Sequence, residues 1–530
     1  MTRSQTANPR HRLAQEQGTI VKDWGGKLPI ALIYPNSYYL GMSNLGIQAI
    51  YSILNNQADI VCERVFWDHG KGEEGPPKAV ESQRPLPDFA VLAFSITYEL
   101  DYFNVPKILK SAGLPLYATD RDESTPLIVA GGACITANPM PVAPFFDALC
   151  IGEAEAILPD LLLILRSGIE NRQELLTALS RLPGIYVPQV AQKTVRRQWA
   201  NDLDTNPVHS EVLTRNTELG DLYLIEVERG CYWGCRFCLV CGAFRPPRAR
   251  SLDSLLEQAK IGLRYRRRLG LVGPDVADHP QFETLLERLK GMGAKISISS
   301  LRMKPLSNLA LGELARGGTG TVAFAPEAGT ERLRRVIRKG VTEDDVLNAI
   351  EAASHHDIKQ LRLYFMIGLP TETEADIQGI VDLSLKCKAI LEKHQSATRL
   401  VLSIAPFVPK AGTPFQWMPM ESLDVLRGRL LRLKNELEAK GVKIKGESPP
   451  WSEVQTVLAR GNEDLAAVLA GIQEPNLAGW SEAIRATGVN AESYAHERWT
   501  ERHELPWKFI DSGIATEQLR RDMDAASSVA

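Results

Sequence analysis

The chain has 530 residues, 44% of them hydrophobic and 24% charged, and a formal net charge of -3. That length implies roughly two to four domains, and the composition excludes a disordered or fibrous chain. The near-neutral charge gives no general drive toward nucleic acid or an anionic membrane, and no stretch approaches the ~18 apolar residues of a membrane-spanning helix.

A polar tail, "MTRSQTANPRHRLAQEQG", opens residues 1–26 and contains no secretory apolar run. "KLPIALIYP" then reads as a buried strand, and "NLGIQAIYSILNN" has helical spacing of its apolar positions. "FAVLAFSI", "FNVPKILKSAG", "TPLIVAGGACITANP" and "FDALCIGEAEAILPDLLLILRSG" continue the alternation. This predicts an α/β domain with a Rossmann-like, doubly wound parallel sheet over residues 27–170. Gly131, Gly132, Gly152 and Glu153 fall at carboxyl ends of its strands, the edge where open parallel sheets bind ligands.

Residues 171–215 read as a polar connector. A second alternating series over 216–440 offers the strands "LYLIEVE", "LGLVG", "AKISISS", "GTVAFAP", "LRLYFMIG" and "LVLSIAPF", with helices between them. These six β/α units predict a partial (β/α)6 barrel, short of the usual eight units. From 441 to 530 the chain reads as a helical, Trp-rich module that contains Trp451, Trp480, Trp499 and Trp507. Those tryptophans suit either its own core or a cover over the barrel. The basic run "LRYRRRLG" reads as the solvated end of a helix.

The stretch "VERGCYWGCRFCLVCGAFRPPRARS" holds four of the eight cysteines: Cys231, Cys235, Cys238 and Cys241. The chain is expected in the cytoplasm, where thiols stay reduced and such clustering serves metal or redox chemistry. Structural zinc uses two separated ligand pairs, and no second pair stands here. Three cysteines on one short loop, directly after the first barrel strand, can instead hold three irons of a [4Fe–4S] cluster. The fourth iron then stays open to a small molecule. Were Cys241 a fourth ligand, the cluster would be closed and would carry electrons only.

The spacing Cys231-x3-Cys235-x2-Cys238, with Phe237 before the last cysteine, resembles the radical S-adenosylmethionine superfamily. The resemblance implies a cluster whose open iron binds the amino and carboxylate groups of S-adenosylmethionine. It also implies one-electron cleavage to methionine and a 5'-deoxyadenosyl radical, fed by a reducing partner such as a flavodoxin or ferredoxin.

Several rim residues agree with it. "SISSLRM" places Ser299, Ser300 and Arg302 at the end of the third strand, where a guanidinium can hold the cofactor carboxylate. "FAPEAGTERLRRVIRKG" places Glu327 at the end of the fourth, where a carboxylate can accept ribose hydroxyls. Ile367 and Gly368, in "YFMIGLPTET", are expected against adenine. The family's usual "GGE" after the second strand is replaced by "LVGPDVADHP". There Gly273 suits the backbone role, and Asp275 is the nearest acidic substitute.

A doubly wound domain ahead of such a barrel resembles the cobalamin-binding class of the superfamily, and nearly all of 27–515 resembles an uncharacterised bacterial group of that type. Gly131, Gly132, Gly152 and Glu153 are the positions this implies for the corrin. The D-x-H-x-x-G motif that supplies a lower cobalt ligand is absent, since "FWDHGKGEEG" has Asp68 and His69 adjacent. The resemblance as a whole implies a [4Fe–4S]-dependent enzyme using S-adenosylmethionine and cobalamin, a methyltransferase acting on an unactivated carbon of a small-molecule substrate. No catalytic side chain is singled out. Radical chemistry without methyl transfer (ring formation or rearrangement) is an alternative, as is a non-catalytic iron–sulfur electron carrier. Sulfur insertion lacks a second cluster motif. Neither nucleic acid nor membrane is expected as a partner.

Overall fold

The structure, a computed structural model, describes residues 12–68, 75–318 and 320–529. His69 and the first eleven residues of the polar tail lie outside them. The described residues fall into two compact units. One is drawn from Met1–Asp221, Gly461–Asn490 and Glu504–Gly513, the other from Leu222–Arg460, Ala491–His503 and Ile514–Ala530.

The first unit holds a six-stranded sheet: β1 Leu28–Tyr34, β2 Ile60–Phe66, β3 Val91–Ser95, β4 Leu127–Gly131, β5 Ala148–Cys150 and β6 Ile185–Tyr186. Its order is β2-β1-β3-β4-β5-β6. The first five strands are parallel and β6 is antiparallel to β5. This is the doubly wound arrangement expected, with its order reversing between β1 and β3. The helix Leu45–Asn55 starts where the Asn44 side chain accepts from the N–H groups of Gly46 and Ile47, a standard N-cap. It buries Ile47, Tyr51 and Leu54 on one stripe.

β2 was not anticipated, because "IVCERVF" carries two charges. All seven of its residues are nevertheless buried. Arg64 is 1% exposed and lies 2.7 Å from both Glu16 and Glu81, which are equally enclosed. Pairing is what lets these charges enter the sheet. The expected connector contributes the helix Arg172–Leu179, β6, and a short strand Val195–Arg196 paired with Ile510–Asp511.

The second unit contains seven strands in two parallel sheets. Leu222–Glu226, Arg268–Val272 and Lys295–Ile298 form one. Thr321–Glu327, Gln360–Ile367, Arg399–Pro406 and Lys443–Gly446 form the other. The Leu301 N–H donates to the Ala323 carbonyl at 3.0 Å where the two sheets adjoin. The first six are the expected barrel strands. The seventh falls where helix was expected; it is four residues long with one buried, too short for a periodic signal.

The C-terminal helices are divided between the units. Pro449–Arg460 and Thr516–Val529 belong to the second, Leu465–Gly471 and Leu477–Thr487 to the first. Trp480 packs on Phe103 with ring centroids 5.6 Å apart. Trp499 lies under the Arg460 guanidinium at 4.0 Å. Both of these tryptophans are thus buried within their own units.

Candidate active site

The cysteine loop leaves the carboxyl end of the first barrel strand. The two-residue strand Glu228–Arg229 pairs antiparallel with Arg248–Ala249 and closes the loop into a hairpin. Gly230 sits at φ +83°, and a Cβ there would stand 2.5 Å from the Phe244 carbonyl oxygen. Only glycine fits this crossing. The N–H groups of Cys238 and Cys241 donate to the carbonyls of Cys235 and Cys238 at 3.1 and 3.2 Å. Successive tight turns therefore carry three of the four thiols.

Arg236 anchors the loop. It donates to Val336 O at 2.6 Å, to Arg335 O at 3.1 Å, and to the Asp522 carboxylate at 2.9 Å. Arg229 pairs with Glu226 at 2.8 Å. Both arginines pair with local carboxylates.

The Cys241 thiol is hydrogen-bonded to those of Cys231 and Cys238. That bond holds Cys231 down to about 6 and lowers Cys238 as well, whereas burial pushes Cys235 up to about 12. Among the described residues, one group of His, Cys, Asp or Glu ligating atoms converges within 4.8 Å, and it is Glu351, His355 and His394, not the cysteine loop. Soft sulfur donors on one half-buried loop suit an iron–sulfur cluster.

A charged network surrounds the loop. Arg302 pairs with Asp278 at 2.7 Å and Asp275 at 3.4 Å, and its guanidinium lies 3.3 Å from the centre of the Trp233 ring. The Trp233 indole N–H donates to Asp278. Glu327 has φ +67° and pairs with Lys339 at 3.2 Å; burial raises its pKa. The Glu228 carboxylate accepts the Asp275 N–H at 2.7 Å. Burial pushes Glu228 up to about 8 and Asp275 up to about 7. A Cβ on Gly273 would meet Glu228 Cγ at 2.7 Å, so that glycine makes room for the acid.

Sequence reasoning missed Glu228, Trp233, Asp278 and Lys339. Glu228 and Trp233 lie in the quoted cysteine stretch, Asp278 in "LVGPDVADHP", and Lys339 is the next-to-last residue of "FAPEAGTERLRRVIRKG". Their signal was proximity to motifs already singled out. Ser300 is half-buried on the rim. Ile367 is fully buried, and a Cβ on Gly368 would meet Leu426 and Glu421 at 2.8 and 2.9 Å, so this glycine faces the helix Leu423–Glu438. Beside it opens a cavity of about 710 Å³ bounded by Glu372, Glu453, His496 and Arg498. Burial pushes Glu372 up to about 7.

In the first unit, the glycine turns are filled by the chain itself. A Cβ on Gly132 would lie 2.2 Å from the Ile96 carbonyl oxygen, and one on Gly152 2.1 Å from that of Gln198. Glu153 is buried and accepts the Ala200 N–H at 3.1 Å. Gly131 is half-buried, its Cα facing Cys150. The open part of this sheet edge lies two strands away. Tyr39 and Leu40, after β1, are 43% and 42% exposed, and Tyr98, after β3, is 44% exposed.

Residues 46–188 match the family described as radical SAM proteins, N-terminal, and residues 225–384 match the radical SAM superfamily. Uncharacterized protein MJ0966 of Methanocaldococcus jannaschii is 30% identical over 454 residues, covering 84% of this chain and 91% of that one. Uncharacterized methyltransferase PH0819 of Pyrococcus horikoshii is 23% identical over 317 residues, 57% of this chain and 64% of that one. Among solved structures, the cobalamin-dependent S-adenosylmethionine radical enzyme OxsB with aqua-cobalamin bound shares the fold, with a TM-score of 0.52 and 13% identity. That match covers 95% of this chain and 79% of OxsB.

Proposed function

The chain belongs to the radical SAM superfamily, and from that premise we propose that this radical SAM enzyme is a cobalamin-dependent methyltransferase acting on an unactivated carbon of a small-molecule substrate. Cys231, Cys235 and Cys238 would hold the [4Fe–4S] cluster, which with S-adenosylmethionine supplies reductive sulfonium cleavage and hydrogen abstraction when bound. Arg302 would hold the cofactor carboxylate, exchanging Asp275 or Asp278 for it. Glu228 and Asp275, acids beside the loop, suit the amino group, and Glu327 suits the ribose hydroxyls. Trp233 shields the Arg302 guanidinium from water and keeps it aimed along the rim. A small electron carrier of the flavodoxin or ferredoxin kind is the expected reductant.

The observation that carries the cobalamin half of this reading is the β1/β3 switch point. In doubly wound sheets that crevice receives the ligand, and here Tyr39, Leu40 and Tyr98 present an exposed apolar edge suited to a large planar ring. Neither bordering loop, "PNSYYL" or "ITYELD", contains a histidine. The corrin is therefore assigned to this edge in preference to the turns at Gly131, Gly132, Gly152 and Glu153, since backbone stands against Gly132 and Gly152 and Glu153 is buried.

The test is anaerobic purification with iron, sulfide and hydroxocobalamin supplied, followed by dithionite and S-adenosylmethionine. Wild type is expected to retain stoichiometric corrin and to form 5'-deoxyadenosine and S-adenosylhomocysteine. The Cys231→Ala/Cys235→Ala/Cys238→Ala variant should form no deoxyadenosine yet keep its corrin. Deoxyadenosine without corrin would remove the methyltransferase reading and leave the radical one. A reducible cluster with neither product would sink both.

A further inference from the structure

Away from the cysteine loop, we infer that Glu351, His355 and His394 form a divalent transition-metal site of the zinc class, joining two outer helices of the barrel. Their ligating atoms all lie within 4.8 Å of one another. The His394 Nε2 and a Glu351 carboxylate oxygen are 2.9 Å apart, and the rings of His355 and His394 meet edge to face with centroids 4.7 Å apart.

The placement follows from local structure. Glu351 is in the helix Glu343–Ser354, and His355 is its C-cap, four residues on. That spacing puts both side chains on one face. His394 is the C-cap of the neighbouring helix Glu374–Lys393. Two helix carboxyl ends thus converge on the group, and their partial negative charge favours a cation.

The frame is already stiff. The Ser396 N–H donates to Leu391 O at 2.9 Å, closing the second helix end, with Gln395 left-handed at φ +52°. Across the two loops, the Thr398 hydroxyl donates to Ile358 O at 2.6 Å and the Arg399 N–H to Lys359 O at 3.0 Å. Little ordering remains to be done when an ion arrives.

Two imidazoles and one carboxylate are borderline donors, suited to Zn²⁺, Co²⁺ or Ni²⁺ and poorly suited to Ca²⁺ or Mg²⁺. His355 is exposed, so water would complete a tetrahedral set. The loops involved lead into the amino ends of the fifth and sixth barrel strands. That end of a barrel serves stability and not chemistry, so the ion would act as a clip.

The experiment uses full-length, cluster-loaded protein, in which the cysteine loop is occupied, titrated with Zn²⁺ by calorimetry. Wild type should bind one more Zn²⁺ than the His355→Ala/His394→Ala variant, and its melting temperature alone should rise with Zn²⁺. Glu351→Gln should weaken that event about tenfold or more. Zinc X-ray absorption should show imidazole scattering and no sulfur at this added ion. Circular dichroism of the variants confirms folding, since all three side chains lie at helix ends on the surface. Equal stoichiometry in wild type and variant, or sulfur at the added ion, would overturn the site; binding weaker than millimolar would count as an adventitious ion only.

Discussion

The two units of this protein use charge in opposite ways. In the first unit, Arg64 is sealed inside a strand between Glu16 and Glu81, and the edge at β1/β3 exposes Tyr39, Leu40 and Tyr98. In the second, the strand interiors are apolar and the charges gather on the carboxyl rim, as Arg302 with Asp275 and Asp278 and as Glu327 with Lys339. A buried ion pair has its partners fixed by folding. A rim pair, with side chains 12–23% exposed at the open strand ends, can trade one carboxylate for another, which is what binding an amino acid-like cofactor would require. Charge thus marks architecture in one unit and chemistry in the other.

The sharpest break of that contrast is Arg64→Met. It leaves two carboxylates buried without their cation, and we expect a loss of about 3–5 kcal/mol, read as a lowered urea midpoint. Arg302→Met, at the rim, should cost less than this, about 2–3 kcal/mol of stability, because its partners are 15% and 19% exposed and keep some access to water. Its effect belongs to binding. Losing a charge-assisted contact to the cofactor carboxylate should weaken S-adenosylmethionine about 10- to 100-fold, measured by calorimetry on the cluster-loaded protein. If the two variants lose similar stability and Arg302→Met binds the cofactor normally, the division of labour fails.

The same contrast explains what was legible beforehand. Apolar strands such as "LRLYFMIG" and "FAVLAFSI" announce themselves, because burial demands hydrophobic runs. β2 did not, because its charges are neutralised by residues 48 and 17 positions away, a relation no local window contains. The three cluster cysteines were visible because their spacing is short and local. The rim network was visible only in halves: Arg302 and Glu327 could be singled out from strand ends, but Asp278 and Lys339 reach them through turns whose course depends on the fold. Gly132 and Gly152 stand out in sequence at a ligand-binding edge, and in the fold each also permits a backbone crossing. A glycine in sequence signals close approach without saying what approaches.

Asp101, beside the proposed corrin edge, gives the smallest and most diagnostic effect. It is 3% exposed, accepts from the Asn36 amide at 2.6 Å, and is pushed by burial up to about 6. A carboxylic acid whose pKa is raised on folding binds its proton more tightly in the folded state. Its contribution is therefore fully present below about pH 4 and is lost as pH rises through about 6. The full linkage is near 3 kcal/mol at about 1.4 kcal/mol per pKa unit, so a neutral isostere should recover about 1–2 kcal/mol at pH 7. Asp101→Asn keeps an acceptor for Asn36 and should raise the melting temperature at pH 7 while leaving it unchanged at pH 4. An increase at both pH values would mean that the gain is packing. A decrease at pH 7 would mean that the ionised acid is needed by this sheet, which would then use charge as the barrel rim does.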